Sequence, residues 1–311
     1  MKLKLFLAKW KLIFKTQNKF KQRLLIIIPL FLSLLLVSLG LGQQKFTMLL
    51  SGNPSIYKNL PILWNEDPLK IHIIDVGQGD ATLIQFHDKS FLIDAGPLES
   101  APSLVRYLKN LGLRNLNALI ITHPHDDHVG GSLEILDHFK VKQILLSHDS
   151  CDNAIQVNLI NKAQNSNIPV DSPFRGTSLQ LGDFSLTCLH PLHQSYAKVN
   201  NYSSVWKLEY TDTTMLFLGD LEKDEFGSLT TGPVDFFRTG HHGSKTSLTS
   251  DLIMRLSPSL TAISCGLNNS FGHPSEEVLE MLRASGSPYF RTDQAGTVVL
   301  SSNGNFLRWV H

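Results

Sequence analysis

The sequence predicts a mixed α/β domain over residues 70–311, preceded by one N-terminal transmembrane helix. Three observations predict it. Residues 24–41 form an 18-residue apolar run without a charge. From residue 70 onward, short runs rich in Ile, Val, Leu and Phe alternate with patterns that repeat at helical spacing. All 13 histidines lie at or beyond His72, and three of them fall within six residues.

Composition sets the limits. Of 311 residues, 42% are hydrophobic and 18% charged, so a sizeable core is available and global disorder is excluded. Three cysteines are too few for a disulfide scaffold. Residues 1–23 carry seven Lys and one Arg with no acid, so the net charge of +1 leaves −7 for residues 24–311. A domain that is acidic overall argues against a nucleic-acid binder that is basic over its whole surface, while leaving room for a local basic patch.

Residues 1–23 are read as a basic cytoplasmic segment, in which Lys interleaves with Leu, Phe, Trp and Ile as in a helix lying on anionic lipid; an unstructured basic tail fits equally. The run 24–41 spans about 27 Å as a helix, close to the thickness of a bilayer core. A cleaved signal peptide is the competing reading. The apolar run is longer than the usual signal core and no Ala-x-Ala site follows, so an uncleaved anchor is expected. The preceding positive charges place the N-terminus in the cytoplasm and the rest of the chain outside it. Residues 42–69, with Pro54, Pro61 and Pro68, read as a linker.

Strands are expected at 71–76, 82–86, 91–93, 118–122, 143–146, 184–189, 205–208 and 215–218. Helices are expected at 103–111, 132–139 and 276–282, where apolar residues share one face. This order is mixed and is not a regular βαβ ladder. Between the first two strands lies Asp75-Val-Gly-Gln-Gly-Asp-Ala81. It superficially matches a dinucleotide fingerprint, but Thr82 stands where the third small residue belongs and a strand follows where a helix should start. A tight turn whose glycines permit positive φ is the better reading.

The strongest signal is Thr122-His123-Pro-His125-Asp126-Asp127-His128-Val-Gly-Gly131, delivered by an apolar strand. Imidazole and carboxylate are the donors that suit divalent transition metals. A spacing of two lets His123 and His125 point the same way in extended chain, with Asp127 and His128 free to turn toward a second ion. A polar surface loop with chance histidines is the bland alternative, and three His in six residues make it poor.

His-x-His-x-Asp-His resembles the signature of the metallo-β-lactamase-fold superfamily. Further elements follow in the superfamily's order: Asp94 in Ile-Asp-Ala-Gly, His190 in Leu-His-Pro, Asp220 in Leu-Gly-Asp and His241 in Gly-His-His-Gly-Ser. A narrower resemblance joins Asp75-Val-Gly-Gln-Gly-Asp80, Asn201-Tyr-Ser-Ser204, His241-His-Gly-Ser-Lys-Thr-Ser247, Asn268-Asn269, Gly272-His-Pro274 and Arg291-Thr-Asp293 to the C-terminal domain of the ComEC/Rec2 competence proteins. Those proteins carry a multi-span channel before this domain, whereas this sequence offers one span.

The resemblance implies an αββα sandwich of the metallo-β-lactamase fold with two divalent ions, zinc or manganese. His123, His125 and His190 would hold one, and Asp127, His128 and His241 the other. Asp220 would bridge them, and His242 is the alternative to its neighbour. Asp94 would orient a ligand histidine. Asp127, Asp220 and His273 are the expected catalytic residues. Ser244, Lys245 and Asn268 are the expected substrate contacts; Ser244 and its neighbours could instead cap a helix starting near Ser247. His273 could touch a phosphate, protonate a leaving oxygen or have no role. The implied function is a membrane-anchored phosphodiesterase or nuclease, with single-stranded DNA or another phosphodiester as partner. The alternatives are an ester, thioester or lactam hydrolase, and a catalytically silent membrane-tethered binding module. No cysteine falls in a ligand motif; Cys188 and Cys265 read as buried thiols.

Overall fold

The computed structural model describes residues 67–147 and 153–310. The basic segment, the apolar run 24–41, most of the linker and Cys151 lie outside these residues. No helix among the described residues is long and apolar enough to cross a membrane.

The chain opens with β1 (Leu69–Ile73), β2 (Thr82–Phe86), β3 (Lys89–Ile93) and helix α1 (Ala101–Asn110). Then come β4 (Asn115–Leu116), β5 (Ala118–Ile121), α2 (Asp126–Val129), α3 (Ser132–His138), β6 (Lys140–Val141), β7 (Ile144–Leu146), α4 (Ala154–Asn165) and β8 (Val170–Asp171). The next run is β9 (Ser178–Leu181), β10 (Phe184–His190), β11 (Val205–Tyr210), β12 (Thr213–Phe217) and β13 (Phe236–Arg238). It continues with α5 (Ser250–Leu256), β14 (Leu260–Ile263), α6 (Glu276–Ser285), β15 (Tyr289–Arg291) and α7 (Thr292–Ala295), and β16 (Val298–Ser302) and β17 (Leu307–Trp309) close the fold.

Two sheets result. The eight-stranded one runs β17-β16-β1-β2-β3-β5-β7-β8, and the seven-stranded one runs β15-β14-β13-β12-β11-β10-β9. Alternation along each strand explains why they stack. In β5, Ala118 and Ile120 join a cluster with Phe184, Trp206 and Phe236 of the other sheet, while Leu119 and Ile121 face the helices. A strand buried on both faces needs a continuous apolar run, and Ala-Leu-Ile-Ile supplies it. The outer face of the first sheet packs against Leu104 and Leu108 of α1, Ile135 of α3 and Leu159 of α4. The second sheet packs Leu216 and Phe237 against Leu252 and Leu256 of α5 and Val278 and Leu282 of α6. The layering is αββα. Each fully buried Leu, Ile or Phe contributes about 1.5–3 kcal/mol to holding these layers together.

Strand ends differ from the sequence expectation where polar groups leave the ladder. The first strand begins at Leu69 and stops at Ile73, because Ile74 N–H turns to Ala81 O and closes the glycine-rich turn. β5 stops at Ile121, because Thr122 N–H donates to the Asp94 carboxylate at 2.8 Å. Helix α6 runs on to Ser285, where Gly286 takes a left-handed φ of 71° that ends it.

β3, β5, β7 and β8 run parallel, as do β12, β13, β14 and β15. Chemistry in open α/β sheets gathers outside the carboxyl ends of such strands. Here those ends carry Asp94 (after β3), His123 (after β5), Asp220 (after β12) and His242 (after β13).

Candidate metal centre

Asp94 holds His128 directly and His123 through Thr122. It is fully buried in a left-handed conformation, φ 60°. Its Oδ1 accepts from Thr122 N–H, and its Oδ2 accepts from the Thr122 hydroxyl at 2.8 Å and from His128 Nδ1 at 2.7 Å. A carboxylate only accepts, so the proton of His128 sits on Nδ1 and the lone pair on Nε2 faces the site. The Thr122 hydroxyl uses its one hydrogen in donating to Asp94. It therefore accepts from His123 Nδ1 at 3.2 Å, and the His123 lone pair is also on Nε2. His242 Nδ1 lies 3.0 Å from Ser264 O, a carbonyl that can only accept. Its Nε2 lone pair is thereby fixed as well. One orienting contact per imidazole sets three tautomers, all presenting Nε2 to one cleft.

These lone pairs meet other acceptors. His242 Nε2 is 3.1 Å from Asp127 Oδ2 and 3.7 Å from Asp220 Oδ2. His128 Nε2 is 3.2 Å from Asp220 Oδ1, and His123 Nε2 is 3.8 Å from Asp220 Oδ2. His123 Nε2 also faces His125 Nδ1 at 2.9 Å. Two trios of donor atoms lie within 4.8 Å of one another: His123, His125 and Asp220, and Asp127, His128 and His242. Acceptors so crowded require positive charge between them, and this donor set fits divalent ions.

The electrostatics agree. Burial would lift the Asp220 carboxyl, but His128, His242 and His123 hold it well below the usual carboxylate range. Burial opposes charge on His128, yet Asp220, Asp94 and Asp127 pull it well above the ordinary histidine value. Burial keeps His123 neutral by pushing it well below that value. The carboxylates thus favour positive charge at His128, as a second proton or as a metal ion held by its Nε2, since metal binding displaces that proton from a ligand histidine.

The description "Metallo-beta-lactamase superfamily" matches residues 74–266, more than half of the chain. The chain belongs to that superfamily. Metallo-beta-lactamase proteins are generally metal-dependent hydrolases, in keeping with the donor trios just described. The chain is 31% identical over 251 residues to ComE operon protein 3 of Bacillus subtilis, covering 74% of this chain and 32% of that protein. It is 28% identical over 275 residues to Recombination protein 2 of Haemophilus influenzae, covering 86% of this chain and 32% of that protein. The chain thus spans about a third of the length of these relatives. The solved structure of CmlA, a diiron beta-hydroxylase from Streptomyces venezuelae, shares the fold with a TM-score of 0.51 at 14% identity, covering 76% of this chain and 55% of CmlA.

Within this metallo-beta-lactamase frame, the remaining expected residues fall in different places. His242, and not His241, stands with Asp127 and His128. Both adopt left-handed φ, 45° and 52°. The His241 ring is half-buried, and its Nδ1 accepts from Asn200 Nδ2 at 3.2 Å. Its backbone N–H donates to Asp220 Oδ1 at 3.1 Å and its ring Nε2 stands 3.8 Å from Asp220 Oδ2, so His241 meets the central carboxylate through both main chain and ring. His190 is in neither trio. Its Nε2 donates to Asn201 O at 2.8 Å, leaving Nδ1 buried without a hydrogen-bond partner.

His273 lies at the rim, its ring centroid 5.5 Å from that of His241 and 6.3 Å from that of His242. Lys245 is exposed, and Ser244 is buried against Thr246 with 2.8 Å between their hydroxyls. Neither Ser244 nor Ser247 caps the following helix. α5 starts at Ser250, and Thr249 accepts from Leu252 N–H. Asn268 is exposed, and Asn269 ties the loop by bonding Gly266 O and the main chain of His273. Thr122 opens the histidine motif in sequence, whereas Ser264 and Arg238 carry no local signal.

Proposed function

We propose that this protein is a membrane-anchored, binuclear metal-dependent hydrolase that cuts phosphodiesters, with flexible single-stranded DNA as the favoured substrate class. The observation that carries the reading is the convergence of two His/Asp trios on the buried Asp220. Likeness to the competence proteins favours phosphodiesters over esters, thioesters or lactams. In the proposed ligand set, His123, His125 and Asp220 would hold one ion, and Asp127, His128 and His242 would hold the other. His190 has its bare Nδ1 to offer the first ion.

Zinc or manganese bound there would supply Lewis acidity and positive charge at a phosphoryl oxygen. The chain's own groups do the rest. Asp94 and Thr122 lock the imidazoles, and His241 holds Asp220 in place through its backbone. His273 at the rim is placed to donate a hydrogen bond to a phosphate or leaving oxygen, and Lys245, three residues after His242, offers an exposed cation. The charge of −7 beyond residue 23 confines phosphate attraction to the site. DNA binding is accordingly weak and salt-sensitive, and flexible single strands enter the cleft best.

The apolar run 24–41 would anchor the chain with its basic flank in the cytoplasm. Protease added to intact spheroplasts then digests the hydrolase domain; digestion only after permeabilisation reverses the topology. For activity, the full chain is loaded with Zn²⁺ or Mn²⁺ and offered labelled single- and double-stranded DNA, bis-p-nitrophenyl phosphate, a lactone and a β-lactam. Phosphodiesters should be cut, single strands fastest, with Asp220→Ala lowering the rate by more than about a hundredfold. Turnover of the lactone or β-lactam with no phosphodiester cleaved contradicts the proposal.

A further inference from the structure

The glycine-rich turn between β1 and β2 supplies no member of the two donor trios, yet it packs directly beneath them. A Cβ on Gly79 would fall 2.6 Å from Asp127 O, and one on Gly266 would fall 2.6 Å from Gln78 N. Only residues without side chains permit those approaches. At the end of the turn, Asp80 N–H donates to Asp127 O at 3.1 Å, and Asp80 O accepts from Gly96 N–H at 2.8 Å. Asp80 is therefore tied to the loop after β3 and to the histidine motif after β5, both parts of the first sheet.

Its side chain reaches the other sheet. The Asp80 carboxylate pairs with the guanidinium of Arg238, the last residue of β13, and both side chains are more than nine-tenths buried. Arg238 Nη1 donates to Gly219 O at 3.2 Å and to Thr239 O at 2.5 Å. The first carbonyl adjoins Asp220, and the second lies on the segment leading to His242. Asp80, Asp94 and His128 also form a third donor cluster within 4.8 Å, and Arg238 pairs with its Asp80. A buried ion pair is a poor source of stability, since desolvation offsets its attraction and an apolar pair can serve as well. Its connections to both sheets account for its presence better.

We propose that the Asp80–Arg238 pair is a positioning clamp, which holds the loops of the two sheets together so that Asp127 and His128 meet Asp220 and His242 around a metal ion. This rests on the metal-binding part of the proposed function and is independent of the substrate.

The test is titration of the metal-free full chain with Co²⁺, followed by binding isotherm and visible absorption, alongside melting of the metal-free protein. The variants are Asp80→Asn and Asp80→Asn/Arg238→Met, the second leaving no uncompensated buried charge. The clamp predicts that both bind the weaker of two cobalt ions at least about tenfold less tightly and show altered d–d bands, even where the double variant melts like wild type. A purely structural pair would move the melting temperature alone. Wild-type affinity and spectrum in either folded variant overturn the clamp. A wild-type chain that binds no cobalt overturns the metal reading itself.

Discussion

The two sheets contribute to the site in different ways. The first sheet delivers His123, His125, Asp127 and His128 on one short segment after β5. The second sheet delivers Asp220 and His242 from two parallel strands, with 21 residues between them in sequence. The first contribution is continuous and held by Asp94 and Thr122. The second is assembled by topology and held by bonds that each use a main-chain group: His241 N–H donates to the Asp220 carboxylate, Asp220 N–H donates to Ser203 Oγ, and His242 Nδ1 donates to Ser264 O. A contiguous motif is fixed by local chain geometry, whereas a dispersed one depends on sheet register and on the conformation of single loop residues.

The largest effect that sharpens this contrast comes from the adjacent histidines. His242→Ala should weaken binding of one metal ion at least about a hundredfold, because it removes a donor whose tautomer is fixed toward the site. His241→Ala keeps the backbone N–H on Asp220 but removes a ring that stands 3.8 Å from its carboxylate and outside both donor trios, and should weaken binding by less than about tenfold. Calorimetric titration of both variants with Zn²⁺ checks this, and a reversed order would place the ligand one residue earlier.

A smaller effect separates scaffold from site. His72, on β1, lies between the Tyr107 hydroxyl at 2.7 Å and Gln85 Oε1 at 2.9 Å. Burial pushes it down to about 4. The folded state thus resists a proton that the unfolded chain accepts near 6.5. This contribution to stability is full above pH 6.5 and is lost as pH falls from there toward 4. Between pH 7 and pH 5, His72→Gln should lose about 2 kcal/mol less stability than wild type. Parallel urea melts at the two pH values measure it, and equal slopes would contradict the assignment. The comparison must be between the two proteins, because burial shifts His123 and His190 in the same direction.

The smallest effect concerns the flank of the contiguous motif. Asn153 caps α4 by accepting from Ile155 and Gln156 N–H, and its Nδ2 donates to Asp126 Oδ1 at 2.6 Å. Asn153→Ala should cost about 1 kcal/mol in denaturant unfolding while metal affinity stays at the wild-type value. A loss of metal affinity would show that the α4 cap also holds the motif.

The same contrast explains what the sequence could reveal. Ala-Leu-Ile-Ile before His123 announces a strand buried on both faces, and the histidine spacing announces metal chemistry. The order of Asp94, Asp220 and the His-His pair was legible only as a resemblance. The choice between His241 and His242 was not legible, because both take left-handed φ and simple alternation cannot say which ring turns inward. The position of His190 depends on a loop that brings Asn201 O to its Nε2. The Asp80–Arg238 pair joins residues 158 apart in sequence, and neither carries a local signal of the contact.

The proposed two-ion centre draws its donors from both sheets around Asp220. Elemental analysis of the metal-loaded full chain, with wild type and Asp220→Ala measured side by side, puts it to the test. Two ions per wild-type chain and fewer in Asp220→Ala are expected. A wild-type chain without bound metal, or the same stoichiometry in both proteins, would contradict it.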